Sequence, residues 1–139
     1  MNPEDLFQFT PLLLEDKADM ILGSRFLGKN WHSFKGGYLK YFFANKIITS
    51  FLNILWGAHL TDVNCGYKMF KSKIIKGLVL RSNSFEIEVE IIGALLKNGC
   101  RIKEVPVSYE PRGKMDGKKI RLKHAFLMIY QILKSRLIK

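Results

Sequence analysis

Cysteine and histidine are scarce in this 139-residue sequence, which has two cysteines, Cys65 and Cys100, and three histidines. No C-x-x-C pair occurs and the histidines are scattered along the chain. This spacing argues against a disulfide framework and against a zinc site. Both cysteines are predicted to be packed thiols of a protein in a reducing compartment.

Acidic residues are also few: the chain has 12 Asp and Glu but 23 Lys and Arg, which gives a formal net charge of +11. A protein this basic is expected to meet an anionic partner, such as nucleic acid, a membrane surface or a phosphorylated ligand. The basic residues are dispersed and no recognition motif occurs, which argues against nucleic acid. A nucleic-acid-binding module stays as one alternative, which steeply salt-dependent binding to random duplex would support.

A long uninterrupted apolar run is missing too. The longest apolar region, residues 38–60, contains two lysines and two asparagines and falls short of a membrane span. The first five residues are acidic and do not resemble a signal peptide. With 47% hydrophobic residues the chain can pack one core. The sequence predicts a soluble, cytoplasmic domain, and a peripheral position at the membrane face stays open.

Helical and strand patterns alternate along the chain and predict an α/β fold. The predicted helices are one starting at an Asn2 cap, one over 38–56 closed by Gly57, a short one over 72–76, one over 85–97 closed by Asn98 and Gly99, and an amphipathic one over about 120–137. The predicted strands lie at residues 19–26 and 101–109. Pro106 lacks a backbone N–H and places the second strand at a sheet edge.

Residues 60–70 carry the densest chemistry, because Asp62, the turn residue Gly66 and Lys68 lie together between two helical patterns. Charged groups in a turn at a sheet–helix junction are typical of α/β enzyme sites. Asp62 is therefore the first candidate for a catalytic carboxylate.

Six segments, in order, carry a resemblance to a known family. They are Gly-Ser-Arg at 23–25, the Asn45, Thr49 and Asn53 pattern, Thr-Asp at 61–62 with residues 66–70, the aromatic and acidic helix start at 85–90, Gly-x-Arg-Ile-x-Glu-Val-Pro at 99–106, and the basic loop at 109–120. Together they resemble the acceptor-side, C-terminal half of family 2 glycosyltransferases of the dolichol-phosphate mannosyltransferase-like group. The resemblance covers nearly the whole chain.

The resemblance implies a partial nucleotide-diphospho-sugar transferase fold of the GT-A type, with a mixed sheet and residues 1–139 as one partial domain. It implies sugar transfer from a nucleotide sugar to a polyprenyl or dolichyl phosphate. The family's nucleotide-binding half, with its Asp-x-Asp metal site, is not present in these residues. The chain is therefore expected to be inactive alone, and whether it is itself an enzyme stays open. It is expected to hold no cofactor, whereas the complete enzyme would use Mg²⁺ or Mn²⁺.

The partners implied are the lipid phosphate, the nucleotide sugar, a membrane surface, and either the missing half or a second copy of the chain. No nucleic acid is expected. An alternative function is a non-catalytic, basic subunit that binds a membrane surface or a protein partner. Liposome binding that needs anionic lipid but no polyprenyl phosphate would favour it.

The acceptor-side residues implied by the resemblance are Asp62, as catalytic or sugar-orienting carboxylate, with Ser24, Arg25 and Lys40 holding the acceptor phosphate. Lys40 stands beside Tyr41, where relatives often carry an arginine. The alternative for Asp62 is a turn cap before Gly66. For Arg25 the alternative is an ion pair with a surface acid.

The remaining candidates are the donor-diphosphate or loop contacts Lys68, Arg112, Lys118 and Lys119, for which a solvated basic loop is the alternative. Glu88 and Glu90 mark the acidic start of the helix. Residues at i and i+2 point to different faces of a helix, so one is expected to bind or cap, with Glu88 favoured, and the other to be solvated. No metal ligand is assigned in this chain.

Overall fold

The computed structural model describes residues 2–28, 39–109 and 122–137. Its elements in chain order are a 3₁₀ helix at Pro3–Gln8, α1 at Thr10–Leu14, β1 at Met20–Ser24, α2 at Leu39–Trp56, β2 at Lys68–Phe70, α3 at Ser72–Ile75, α4 at Ile87–Lys97, β3 at Ile102–Pro106 and α5 at Leu122–Leu137. The α/β class is confirmed. The short strand β2 was not predicted, since three residues carry too little periodicity to be recognised.

The three strands form one mixed sheet in the order β2-β1-β3. β1 runs antiparallel to β2, with Ile21 opposite Met69, and parallel to β3, with Leu22 opposite Glu104. Every residue of β1 is buried, as its continuous apolar run predicts for a central strand. In this sheet β3 and its Pro106 lie at an edge, as predicted.

The helices α2, α4 and α5 pack against one another. Their apolar stripes meet β1 in a single core, whose largest fully buried side chains include Phe9, Met20, Ile21, Leu22, Leu52, Ile92, Leu95 and Ile132. Burial of these side chains is the main stabilising contribution, at roughly 1.5–3 kcal/mol for each large aliphatic residue. The buried residues of β1 and of the three helices thus belong to one core.

The N-terminal segment differs from the single predicted helix. Asn2 does cap it, accepting from the Glu4 backbone N–H at 3.1 Å. The chain then forms a 3₁₀ helix and starts again as α1 at Thr10, because Pro11 is tolerated in the first turn of a helix but not in its interior. Asp5 accepts hydrogen bonds from the backbone and hydroxyl of Ser108, which ties this segment to the end of β3.

Two helices end where the sequence predicts. Gly57 follows α2 with φ +63°, and Gly99 follows α4 with φ +70°, a backbone region that side chains rarely tolerate. Among the described helices none is both long enough and apolar enough to cross a bilayer. Of the predicted basic loop at 109–120, residues 110–120 lie outside the described residues, as do residues 29–38 of the loop after β1.

Candidate functional site

Arg25 and Asp62 form a two-point ion pair just beyond the carboxyl end of β1. The guanidinium donates from Nε to Oδ2 at 2.6 Å and from Nη2 to Oδ1 at 2.7 Å, and the Arg25 backbone N–H also donates to Oδ2 at 3.0 Å. Asp62 is fully buried, whereas the Arg25 side chain keeps 17% of its surface exposed. Both predicted residues are thus brought together, and the partner of Arg25 is a buried acid rather than the surface acid of the alternative.

The pair is held in its charged form. Burial by itself raises the pKa of Asp62, but hydrogen bonds and charge from Arg25 outweigh it and hold the pKa below its usual range. Burial likewise lowers the pKa of Arg25, and Asp62 more than compensates, raising it above its ordinary value. A carboxylate so engaged is a poor proton acceptor, so the geometry suits it to orienting the guanidinium.

Two hydrogen-bonded side-chain amides extend from the Arg25–Asp62 pair. Asn45 of α2 donates from Nδ2 to Asp62 Oδ1 at 2.8 Å, and Asn64 donates from Nδ2 to Asn45 Oδ1 at 2.7 Å. Asn45 belonged to the motif that carried the family resemblance, whereas Asn64 was not singled out. Its residue type gave no signal, because its role depends on where the turn places it beside α2.

A second series of hydrogen bonds holds the loop that carries Asp62. The Glu104 carboxylate on β3 accepts from the backbone N–H groups of Thr61 and Asp62 at 2.8–3.0 Å, and from the Thr61 hydroxyl at 2.9 Å. Since Thr61 donates to Glu104, the Ser24 hydroxyl donates to Thr61, at 2.6 Å. Burial raises the pKa of Glu104 despite these donors.

Ser24 is accordingly a turn residue in this arrangement. Its buried hydroxyl accepts from the backbone N–H groups of Phe26 and Leu27 at 3.2 and 3.3 Å. The hydroxyl therefore shapes the loop that presents Arg25 and does not itself extend towards solvent. Its predicted contact with an acceptor phosphate stays a prediction.

The acidic residues of α4 are separated, as their i and i+2 positions require. Glu88 forms an ion pair with Lys68, whose ammonium also donates to the backbone carbonyls of Val63 and Cys65. Glu90 is buried and accepts from the backbone N–H groups of Arg81 and Ser82. Glu90, which was expected to be the solvated residue of the two, is instead the buried one, because it accepts hydrogen bonds from the backbone before the helix, whereas Glu88 keeps 29% of its side chain exposed.

A cavity of about 220 Å³ opens beside Arg25. Its walls are mainly apolar or aromatic and come from α2, α4 and α5, with a few polar groups; they are formed by Arg25, Tyr41, Ala44, Asn45, Ile48, Asn64, Phe85, Glu88, Ala125 and Met128. A mostly apolar pocket with a few convergent polar groups is the usual form of a small-molecule site. Asp62 does not line it, although its partners Arg25 and Asn45 do.

Lys40, which was predicted to hold the acceptor phosphate, is not among the residues that line this cavity. Lys40 is exposed on α2, with its ammonium over the Tyr41 ring at 5.2 Å. Arg112, Lys118 and Lys119 lie outside the described residues. Burial raises the pKa of Cys65 to about 11, in keeping with a packed thiol.

In the described part of the chain, no group of three His, Cys, Asp or Glu side chains is placed to hold a metal ion. The nearby carboxylates of Asp62 and Glu88 are both paired with cations. The Mg²⁺ or Mn²⁺ expected for a complete enzyme therefore does not fit the described residues.

Comparison with known proteins gives two curated relatives. The chain is 29% identical over 111 residues, or 78% of its length, to the low-salt glycan biosynthesis hexosyltransferase Agl6 of Haloferax volcanii, and the match covers 26% of that protein. It is 28% identical over 108 residues to the uncharacterized protein MJ1222 of Methanocaldococcus jannaschii, covering 76% of this chain and 44% of the relative.

The chain thus spans less than half the length of these curated relatives. No protein-family model matches it, and no solved structure matches it. The similarity to Agl6 supports a relation to glycosyltransferases, the coarser part of the family expectation.

Proposed function

We propose that this chain forms the acceptor-side part of a glycosyltransferase that moves a hexose from a nucleotide sugar to a polyprenyl or dolichyl phosphate. The observation that carries the proposal is Arg25, paired with the buried Asp62, at the wall of a mainly apolar cavity. The similarity to a hexosyltransferase gives the reaction class. The proposed fold is the second half of a GT-A domain, with the mixed three-stranded sheet as its remnant of the larger sheet.

The chemistry follows from the acceptor. A phosphate monoester is largely ionised near neutral pH, so its oxygen needs positioning more than deprotonation. That oxygen attacks the anomeric carbon of the sugar, and the bond to the nucleotide diphosphate breaks. A guanidinium fork matches a phosphate, and the amino group at Nη1 of Arg25 carries none of the hydrogen bonds to Asp62.

Asp62 then has a positioning role. It fixes the plane of the guanidinium from inside the fold, while Glu104 fixes Asp62 through the backbone. Direct acid–base chemistry by Asp62 stays a prediction. The donor diphosphate and any metal would depend on groups outside the described residues, and no step is assigned to them.

The lipid part of the acceptor agrees with two further features. The cavity walls of Ile48, Phe85 and Met128 are apolar and suit the first units of an isoprenoid chain. On α5, Phe126, Tyr130 and Leu137 are 75%, 63% and 78% exposed at helical spacing, with Lys134 and Arg136 nearby. Such a helix suits the interface of an anionic membrane.

Calorimetric titration of the chain with farnesyl phosphate in zwitterionic micelles tests the proposal. Binding should be saturable, and farnesol should bind at least tenfold more weakly. Arg25→Gln should weaken farnesyl phosphate about tenfold or more, since charge-assisted hydrogen bonds are lost. Arg81→Gln is the matched control, because Arg81 is exposed and does not line this cavity.

Arg25→Lys, which retains the charge, should give an intermediate affinity if the planar fork matters. Equal affinity of wild type and Arg25→Gln for farnesyl phosphate would overturn the acceptor site. Binding to anionic vesicles that is indifferent to both the lipid phosphate and Arg25 would instead favour the non-catalytic membrane-surface subunit.

A further inference from the structure

The orientation of Asn64 is determined by its neighbours. Asp62 is ion-paired and its carboxylate only accepts, so Asn45 must turn its amide NH₂ to Asp62. The oxygen of Asn45 then faces Asn64, which must donate with its own NH₂. The oxygen that remains, Asn64 Oδ1, is buried and has no hydrogen-bond partner in the described part of the chain.

An orphaned buried acceptor in a native fold calls for an explanation, because leaving a polar atom unsatisfied is costly. Asn64 lines the same cavity as Arg25, and the hydrogen-bonded series Arg25–Asp62–Asn45–Asn64 connects the two. The residues that line this cavity thus include a cation, Arg25, and a side chain with an unsatisfied neutral acceptor, Asn64. A ligand that satisfies both carries an anionic group and, separately, an O–H or N–H donor.

We propose that Asn64 Oδ1 accepts a hydrogen bond from a hydroxyl of the transferred hexose, so that Asn64 is a sugar-reading residue of the cavity whose phosphate end is Arg25. This inference rests on the proposed function, since it names the part of the substrate that lies beyond the phosphate. A second phosphate is disfavoured at Asn64, because two acceptors would face each other. The ligand class is therefore a hexosyl phosphate, free or attached to lipid.

Two different sources supply this chemistry, a soluble hexose 1-phosphate and a lipid-linked hexosyl phosphate. The test uses glucose 1-phosphate, its 2-, 3-, 4- and 6-deoxy analogues, and the mannose and galactose epimers, each titrated into the full chain. Farnesyl phosphate and farnesyl-phosphoglucose form the lipid arm. For one hydroxyl position, wild type should bind the hydroxylated sugar phosphate about tenfold more tightly than the matching deoxy analogue. This is the difference expected for the loss of one hydrogen bond.

The variant Asn64→Leu, of similar size, should bind the hydroxylated and the deoxy ligand equally and match wild type with the deoxy ligand. Exposed Asn83→Leu is the matched control and should keep the wild-type preference. A merely structural Asn64 would lower both affinities by one factor and leave the preference intact, which would overturn the inference. Asn64→Ser provides a second variant if the leucine does not fold.

The wild-type protein alone also decides the matter. Equal binding of every deoxy analogue would overturn the sugar-reading role even if farnesyl phosphate still binds through Arg25, and the proposed acceptor site would then stand. Loss of both the sugar preference and the Arg25-dependent phosphate binding would overturn the two together. Preference seen only in the lipid arm would assign the site to the lipid-linked product and support the inference for that source.

Discussion

Arg25 and Asp62, 37 residues apart in the sequence, are joined by two side-chain hydrogen bonds of 2.6 and 2.7 Å and by a backbone hydrogen bond of 3.0 Å. Asp62 is fully buried, so the carboxylate has exchanged water for the guanidinium and for Asn45. The same contacts that stabilise the fold also orient the cation at the cavity wall. Stability and the proposed function are therefore linked at this pair.

Removing one partner of this pair should be strongly destabilising. Asp62→Asn leaves the Arg25 charge largely buried and unpaired, and we expect a loss of about 3–5 kcal/mol in the free energy of unfolding. Urea denaturation measures it. The double variant Asp62→Leu with Arg25→Met should recover much of this loss, since no buried charge is then left. A double variant as unstable as the sum of the single variants would contradict this account.

The fall in the free energy of unfolding at acidic pH should depend on Asp62. Its folded-state pKa lies below the ordinary 3.8, so its contribution is present above that value and is lost as pH falls through the folded pKa. Denaturant titrations between pH 5 and pH 2 should show wild-type stability falling, with a shallower fall in Asp62→Asn. Equal slopes for the two proteins would show that Asp62 does not contribute.

Glu104 should behave in the opposite sense. Burial raises its pKa above the ordinary 4.5, so the stability it contributes is greatest below pH 4.5 and declines as pH rises through the folded pKa. The advantage of wild type over Glu104→Gln should therefore shrink between pH 4.5 and pH 8. An advantage that grows with pH would mean that the N–H donors of Thr61 and Asp62 outweigh burial.

The far end of the sheet carries a second charged cluster. Asp19 pairs with Lys71 and Arg101, and hydrogen bonds from Arg101 hold the pKa of Asp19 well below its usual range. Its contribution is present above pH 3.8 and is lost in acid. Asp19→Asn should unfold at a higher pH than wild type during acid titration. Lys17→Gln, which breaks an exposed pair with Glu15, should leave that pH unchanged.

Gly23 in β1 leaves no room for a side chain. A Cβ there would lie 2.8 Å from Val107 Cγ1 and 3.0 Å from Tyr67 Cβ. Gly23→Ala should cost about 1–3 kcal/mol by overpacking and displace the adjoining Ser24–Arg25 turn. Gly66→Ala is the control, since a Cβ at Gly66 meets nothing within 4 Å. Thermal unfolding of both variants compares the two positions.

Much of the fold was predictable because it depends on local patterns. The apolar run of β1, the helical stripe and glycine end of α2, and Pro106 at the edge of β3 each follow from neighbouring residues. The break between the 3₁₀ helix and α1 was missed although Pro11 signals it. β2 was missed because only pairing with β1 makes residues 68–70 a strand.

The site was predictable in its members and not in their connections. Asp62, Arg25, Lys68 and Glu88 were all singled out, yet their pairing into two buried or half-buried ion pairs was not. Glu104 belonged to the motif at 99–106 but was given no role in the site, and Asn64 was not selected, because a lone Asn in a turn is an ordinary surface residue in sequence. Residues 110–120 of the basic loop lie outside the described residues, so the loop's predicted role stays a prediction.

The sequence by itself determined the long helices, the strands β1 and β3, the excess of positive charge, and the supply of charged and amide groups around residues 24, 45, 62 and 104. Only the tertiary structure decided which donor meets which acceptor. The sheet order brings β3 beside β1, so Glu104 reaches the Thr61–Asp62 backbone, and α2 packs where Asn45 reaches Asp62. The reason is physical: periodicity reports burial, whereas pairing of buried polar groups depends on distances between segments far apart in the chain.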